Sequence, residues 1–239
     1  MKDQYFGDVN DFRKYGLLRA LAVHGNLRLA VCWMLTEADG GSHGKLLKYL
    51  EDPTKEYLDR DPELFGWLRQ VVAKEKDRRT ARIEASKILG SAVFQSRLLT
   101  DTGCERDSYF AECAQKFADR DLVFFDPDNG LEIKSTPRGR RNSCKYLYWT
   151  EVCSTFSTGA SVLIYQHFCR EPREAFIARK AEELRRHLSP HAVFSFRTPH
   201  TLFLLAAHER HTAGFRKRLE VIRNDWSPEI RGNEIGEHP

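Results

Sequence analysis

Two apolar periods divide this chain. Short continuous apolar runs read as strands buried on both faces. They fall at residues 28–35, 92–99, 121–125, 161–168, 192–197 and 202–207. Between them apolar residues recur every three or four positions, which reads as helix. Over 8–23 the stripe is Phe12, Tyr15, Leu17, Leu18 and Leu21, with Asp8 or Asn10 as the cap and Gly25-Asn26 as the stop. Further helices are expected near 46–50 and over 107–118, 146–156, 171–188 and 212–223. Residues 52–90 are more polar but still helical. Pro62-Glu63 fits a helix start, Leu64, Leu68, Val71 and Val72 make an apolar face, and Ile83 and Ile88 mark another turn of helix near 80–88. This block predicts a helical cap inserted between the first two strands. The tail from Trp226 reads as loosely held.

Strand and helix alternate, and the last two strands are separated only by Thr198-Pro199-His200. Such alternation predicts an α/β fold, a doubly wound and mostly parallel sheet with an antiparallel hairpin at one edge. A chain of 239 residues suits one domain, 1–239, carrying the helical insertion at about 52–90.

Composition removes some function classes. No apolar run approaches the ~20 residues of a membrane span, so no membrane partner is expected. The opening M-K-D-Q-Y-F-G-D has no apolar segment of the signal-peptide kind. The six cysteines are scattered without a C-x-x-C pair, which argues against a zinc knuckle and fits free thiols in a reducing cytoplasm. Cys104 and Cys113 read as a loop thiol and a helix-packing thiol. The net charge of +4 is small, so its distribution matters more. Three stretches are locally basic: 74–82, 134–145 and 210–223. The first and third are most simply solvated helix faces. The middle one holds Lys134, Arg138, Arg140, Arg141 and Lys145 with no acid among them, and its Pro137, Gly139 and Asn142 predict a loop. A basic loop of this kind is a candidate clamp for a nucleic acid, DNA or RNA.

The most informative segment is D-L-V-F-F-D-P-D-N-G-L-E, residues 121–132. An apolar strand runs into a turn, and in open α/β sheets the carboxyl edge of the strands is where ligands bind. The segment therefore offers Asp126, Asp128 and Asn129 as catalytic candidates. Two carboxylates two residues apart would face alike on extended backbone and could hold a divalent metal, or one could act as a general base. The plain alternative is a turn whose polar groups bond only the backbone.

A second candidate group opens the chain: Tyr5, Asp8, Asn10, Asp11 and Lys14 precede the first strand and could fold over its active edge. Asp11 stands three residues before Lys14 and four before Tyr15, so a surface ion pair is the simpler account. Gln166 and His167 end the strand at 161–168, beside the Asp126 turn, as substrate- or cofactor-binding candidates; a satisfied core histidine is the alternative. Thr198, His200 and Thr201 could join the rim but are expected not to. Gly40, Gly41 and Gly44, around Ser42 and His43, could cradle a phosphate or a carboxylate, or simply form a flexible loop.

The opening G-D-V-N-D-F-R-K-Y-G-L-L resembles that of bacterial adenine-N6 methyltransferases acting on large-subunit ribosomal RNA. Their first helix also carries Asn, then Asp, then Lys. The D-P-D-N turn stands where amino-methyltransferases keep D-P-P-Y or N-P-P-Y. The resemblance covers the first helix and the last half of the chain, and implies a methyltransferase-like Rossmann sheet with S-adenosylmethionine as cofactor. In that family the acid and a proline carbonyl hold the target amine while an aromatic stacks on a flipped base. Here Asp128 and Asn129 replace the second proline and the aromatic, which leaves Tyr146, Tyr148 or Trp149 as substitutes. L-T-E-A-D-G-G-S-H-G also departs from the usual cofactor loop. The same opening and the F-D-P-D-N-G-L-E run are similar to bacterial proteins with no assigned role.

The leading expectation is a nucleic-acid-modifying enzyme that methylates a base amine. One alternative is a cofactor-independent glycosylase or nuclease using Asp126 or Asp128 on an extruded base. The other is a non-catalytic nucleic-acid-binding module.

Overall fold

The structure is a computed structural model that describes residues 2–37, 46–51 and 54–236. The expectations placed on Gly40, Gly41, Ser42, His43 and Gly44 lie outside these residues. The strands are β1 (Leu29–Cys32), β2 (Val93–Gln95), β3 (Leu122–Phe125), β4 (Gly130–Leu131), β5 (Tyr146–Leu147), β6 (Ser161–His167), β7 (Ala192–Arg197), β8 (Thr201–Ala207) and β9 (Arg231–Ile235). The helices are α1 (Val9–Leu18), α2 (Glu56–Arg60), α3 (Pro62–Leu68), α4 (Ala81–Glu84), α5 (Gly103–Lys116), α6 (Trp149–Ser157), α7 (Arg173–Leu188) and α8 (Glu209–Asp225). Helix α1 continues as a wider turn through Arg19–Val23.

Seven strands form the main sheet in the order β2-β1-β3-β6-β8-β7-β9. Strands β2, β1, β3 and β6 are mutually parallel, while β8 runs against both β6 and β7. This is the doubly wound, mostly parallel α/β sheet that the alternating pattern predicts. The register explains why the strands read as unbroken apolar runs. Leu29 and Val31 of β1, like Leu122 and Phe124 of β3, feed one core. Ala30, Cys32, Val123 and Phe125 feed a second core on the opposite face. Helices α1, α3 and α8 close the first face through Phe12, Leu64 and Phe215. Helices α5, α6 and α7 close the other through Tyr109, Val152 and Leu184. The helices of 52–90 are packed into the first core through Leu64, Phe65, Leu68, Val72 and Ile83.

Three expectations are corrected. The hairpin does not end the sheet: β8 is inserted between β6 and β7, and β9 forms the edge. The tail is not loose. Trp226 and Ile230 are buried in the first core, and β9 pairs with β7 from Val193↔Ile235 to Arg197↔Arg231. The helix expected over 146–156 begins only at Trp149, because Tyr146 and Leu147 pair with Gly130 and Leu131. Cys104 and Cys113 share α5, and Cys113 is buried with its Sγ 3.8 Å from that of Cys32. Among the described residues no helix is long and apolar enough to cross a membrane.

The topology also fixes where a ligand goes. From β1 the chain crosses outward to β2, then returns past β1 to β3 on its other side. The carboxyl ends of β1 and β3 therefore flank the point where the winding reverses, and there the loops diverge to leave a crevice. Asp126 is the first residue beyond β3.

Candidate active site

At this switch point lies an open cavity of about 460 Å³. Its walls come from three places in the sequence. The chain start supplies Lys2, Tyr5, Asp8, Asn10, Asp11 and Lys14. The turn after β3 supplies Asp126, Pro127, Asp128 and Asn129. Leu46, Lys145, Tyr165, His167, His200 and Thr201 complete the rim.

Local chemistry builds each wall. Asp8 has extended backbone and its Oδ1 accepts the Asn10 and Asp11 amides at 2.8 and 3.0 Å, capping α1. Gly7 precedes it at φ +76°, and a Cβ there would lie 2.4 Å from Val72. The left-handed turn lets the Gly7 amide donate to Asp11 Oδ2 at 3.0 Å. Asp11 Oδ2 also accepts the Tyr15 hydroxyl at 3.0 Å. The helical spacing read from the sequence as an ion pair is real: Lys14 Nζ lies 2.8 Å from Asp11 Oδ1. It is not on the surface, however. The same Nζ donates to Asp126 Oδ2 at 2.8 Å, and all three side chains are buried. Trp33, Tyr15 and Tyr165 surround the ammonium at 5.7 to 6.0 Å from their ring centres.

One ammonium thus serves two buried carboxylates. Burial alone would lower the Lys14 pKa, but Asp11 and Asp126 outweigh it and hold the amine charged. Burial raises the Asp126 carboxyl, and Lys14 opposes it only in part. Asp8 is pushed up to about 6, first by burial and then by the Asp11 charge. Burial and Asp11 likewise raise the Tyr15 hydroxyl far out of its ordinary range.

The D-P-D-N turn is braced from behind. Gln166 Oε1 accepts the Leu131 amide at 2.9 Å, and its Nε2 donates to the carbonyls of Asn129 and His167 at 3.1 and 3.0 Å. Gly130, at φ +118°, passes so close that a Cβ would meet the Gln166 amide at 2.4 Å. Gln166 is therefore a support of the turn and not part of the cavity wall, a correction to its candidacy as a binding residue. Asp126 and Asp128 have separate partners: Asp128 accepts the Thr36 hydroxyl at 2.7 Å while Asp126 holds Lys14. Among the described residues no three His, Cys, Asp or Glu side chains are grouped to hold a metal ion.

Several polar groups at the cavity carry no hydrogen bond among the described residues: the second oxygen of Asp8, the side-chain amide of Asn129, the hydroxyl of Tyr5 and the carbonyl of Pro127. His167 joins the rim with its Nε2 3.2 Å from the Tyr165 hydroxyl. His200 and Thr201, which the sequence reading set aside, reach the cavity because β8 lies next to β6. Lys2, Leu46 and Tyr165 were not foreseen. Tyr165 had a faint signal, a hydroxyl within the apolar run of β6; Lys2 had none.

The basic loop contributes less to the cavity than its sequence suggests. Only Lys145 lines it. Arg138 is spent on ion pairs with Asp107 and Glu151. Lys134, Arg140 and Arg141 are exposed outside it. The aromatic substitutes are also elsewhere. Tyr148 donates its hydroxyl to Thr136 and Trp149 stacks on His187. Tyr5 and Tyr165 are the aromatic rings at the cavity.

Four aspartates, three lysines, His167 and His200 line this space. No protein-family model and no curated protein matches the chain.

Proposed function

We propose that this protein is a group-transfer enzyme that methylates an exocyclic amine of a nucleobase in nucleic acid. The observation that carries the reading is the Lys14 bridge. It joins the N-D-x-x-K helix and the D-P-D-N turn, the two segments that separately resemble amino-methyltransferases, within one cavity at the switch point of the sheet.

A base amine is a weak nucleophile because its lone pair is shared with the ring. Acceptors on its two N–H bonds raise its electron density. The Asp126 carboxylate and the unspent Pro127 carbonyl are such acceptors, adjacent in the chain. Lys14 partly offsets the effect of burial on Asp126 and fixes its orientation through the 2.8 Å contact, so the acceptor is set before the substrate arrives. Asn129 offers both a donor and an acceptor to the ring edge. Tyr5 supplies the ring face that the missing fourth motif position lacks. Asp8, with an open oxygen and a pKa near 6, takes the proton the amine gives up on alkylation.

S-adenosylmethionine, when bound, supplies the electrophilic methyl group. Its sulfonium and ammonium suit a cavity lined by four aspartates, and Asp128, which also accepts from Thr36 just beyond β1, would hold it.

Incubation with methyl-labelled S-adenosylmethionine and mixed RNA and DNA, followed by digestion to nucleosides, tests the proposal. The expected product is one labelled amino-methylated nucleoside. Release of free base without label would replace the reading with glycosidic hydrolysis.

A further inference from the structure

The excursion 132–145 leaves the catalytic turn and comes back to it. Asn129 N–H donates to Lys145 O at 2.9 Å, Glu132 N–H donates to Leu147 O at 2.8 Å, and β4 and β5 close its base. A surface loop this long ordinarily moves. This one is fixed by buried side chains from another element. Arg106 of α5, fully buried, donates to Ser143 O at 3.1 Å and Tyr146 O at 2.7 Å while gripping Glu151. Asp101 accepts the amides of Asn142 and Cys144 at 2.7 and 2.8 Å. The Tyr148 hydroxyl donates to Thr136 O at 2.8 Å.

The fold thus holds in place a loop whose outward cations have nothing to hold. Lys134, Arg140 and Arg141 form no ion pair or side-chain hydrogen bond among the described residues, and neither does Lys145 at its foot in the cavity. No acid interrupts residues 134–145. Among the described residues the exposed large apolar side chains are Leu46, which lines the cavity, Ile133, at the start of this excursion, and Leu98. A rigid row of unpaired cations beside apolar contacts suits a chain that carries regularly spaced negative charges and flat bases.

We propose that residues 133–145 are a preorganised clamp for the phosphodiester backbone of a single-stranded polynucleotide. The target base enters the cavity while Arg140, Arg141 and Lys134 hold flanking phosphates outside it. This rests on the reading of the cavity as a base-amine site and narrows its substrate from nucleic acid in general to a single strand. A strand is favoured over a duplex because pairing hides the amine edge that Asp126 would take.

Fluorescence anisotropy with labelled single-stranded RNA and DNA 12-mers over a salt series tests it. Arg140→Glu/Arg141→Glu is compared with a control of equal charge change on the distant helices α7 and α8, Arg186→Glu/Lys217→Glu. The loop variant is expected to bind at least tenfold more weakly at low salt. Its salt slope should shrink by roughly 1.4, at about 0.7 per phosphate on a single strand. The control should bind like the parent. Equal binding by the loop variant, an equal loss in the control, or competition by polyglutamate as effective as by the oligonucleotide would each overturn the clamp. A free nucleoside methylated as fast as an oligonucleotide would also overturn it while leaving the cavity reading intact. Salt-dependent binding through these arginines without any methyl transfer would support the clamp and remove only the chemistry.

Discussion

Lys14 and Arg106 are both buried cations gripping carboxylates, yet they do opposite work. Arg106 meets Glu151 with two nitrogens, and two backbone carbonyls take its remaining donors. Glu151 also meets Arg138 at 3.6 Å, and Arg106 itself is fully buried. Lys14 is divided between Asp11 and Asp126 and lies at an open space with unspent acceptors. A cation whose donors go to one carboxylate and to backbone carbonyls is a fastening. A group of carboxylates sharing a buried ammonium beside a crevice keeps interaction capacity for a ligand, and it does so at the expense of stability.

The largest effect should come from breaking the fastening. Arg106→Met removes the buried partner of Glu151 and leaves it only the longer contact to Arg138, and a loss of about 3–5 kcal/mol is expected in denaturant unfolding. Lys14→Met should cost less, about 2–3 kcal/mol, because the carboxylates it leaves border an open cavity and can take up a proton. Without Lys14 the Asp126 carboxyl, already raised by burial, rises further, so the variant should regain stability as pH falls. A Lys14→Met loss equal to that of Arg106→Met and flat with pH would erase the contrast.

Asp8 sharpens the comparison further. Its pKa is raised from 3.8 to about 6 by burial and by Asp11. The folded state therefore binds a proton more readily than the unfolded chain. Asp8 costs stability at neutral pH, and that cost is relieved as pH falls through about 6 towards 4. As the proton acceptor it works only when ionised, so methyl transfer should fall on the acid side of pH 6. Asp8→Asn keeps the helix cap and should lower the rate while abolishing that acid limb. A limb that persists in the variant would assign the titration to another group.

How much of this was legible follows from the range of each interaction. Strand β3 and its turn were legible because four apolar residues and D-P-D-N-G are local signals. Helix α1 was legible from its stripe, and Asp8 from its capping position. The fold class followed from alternation. Strand β9 was not legible: R-G-N-E-I has no apolar alternation, and its place is set by Trp226 and Ile230 filling a core built elsewhere. The hairpin showed that β7 and β8 are neighbours, but not which of them faces β6. Gln166 misled because a polar residue at a strand end looks the same whether it binds a ligand or braces a turn. The Lys14–Asp126 contact spans 112 positions, and only the folded sheet brings its two ends together.

Asp126→Asn tests the central claim most directly, with methyl transfer into a polynucleotide and thermal unfolding measured on the same preparations. The amide keeps an oxygen that can accept from Lys14, whose charge Asp11 still meets, so stability should stay within about 1.5 kcal/mol while labelled product is abolished. A variant that still transfers methyl at the parent's rate, or a folded parent that transfers none, would contradict the account.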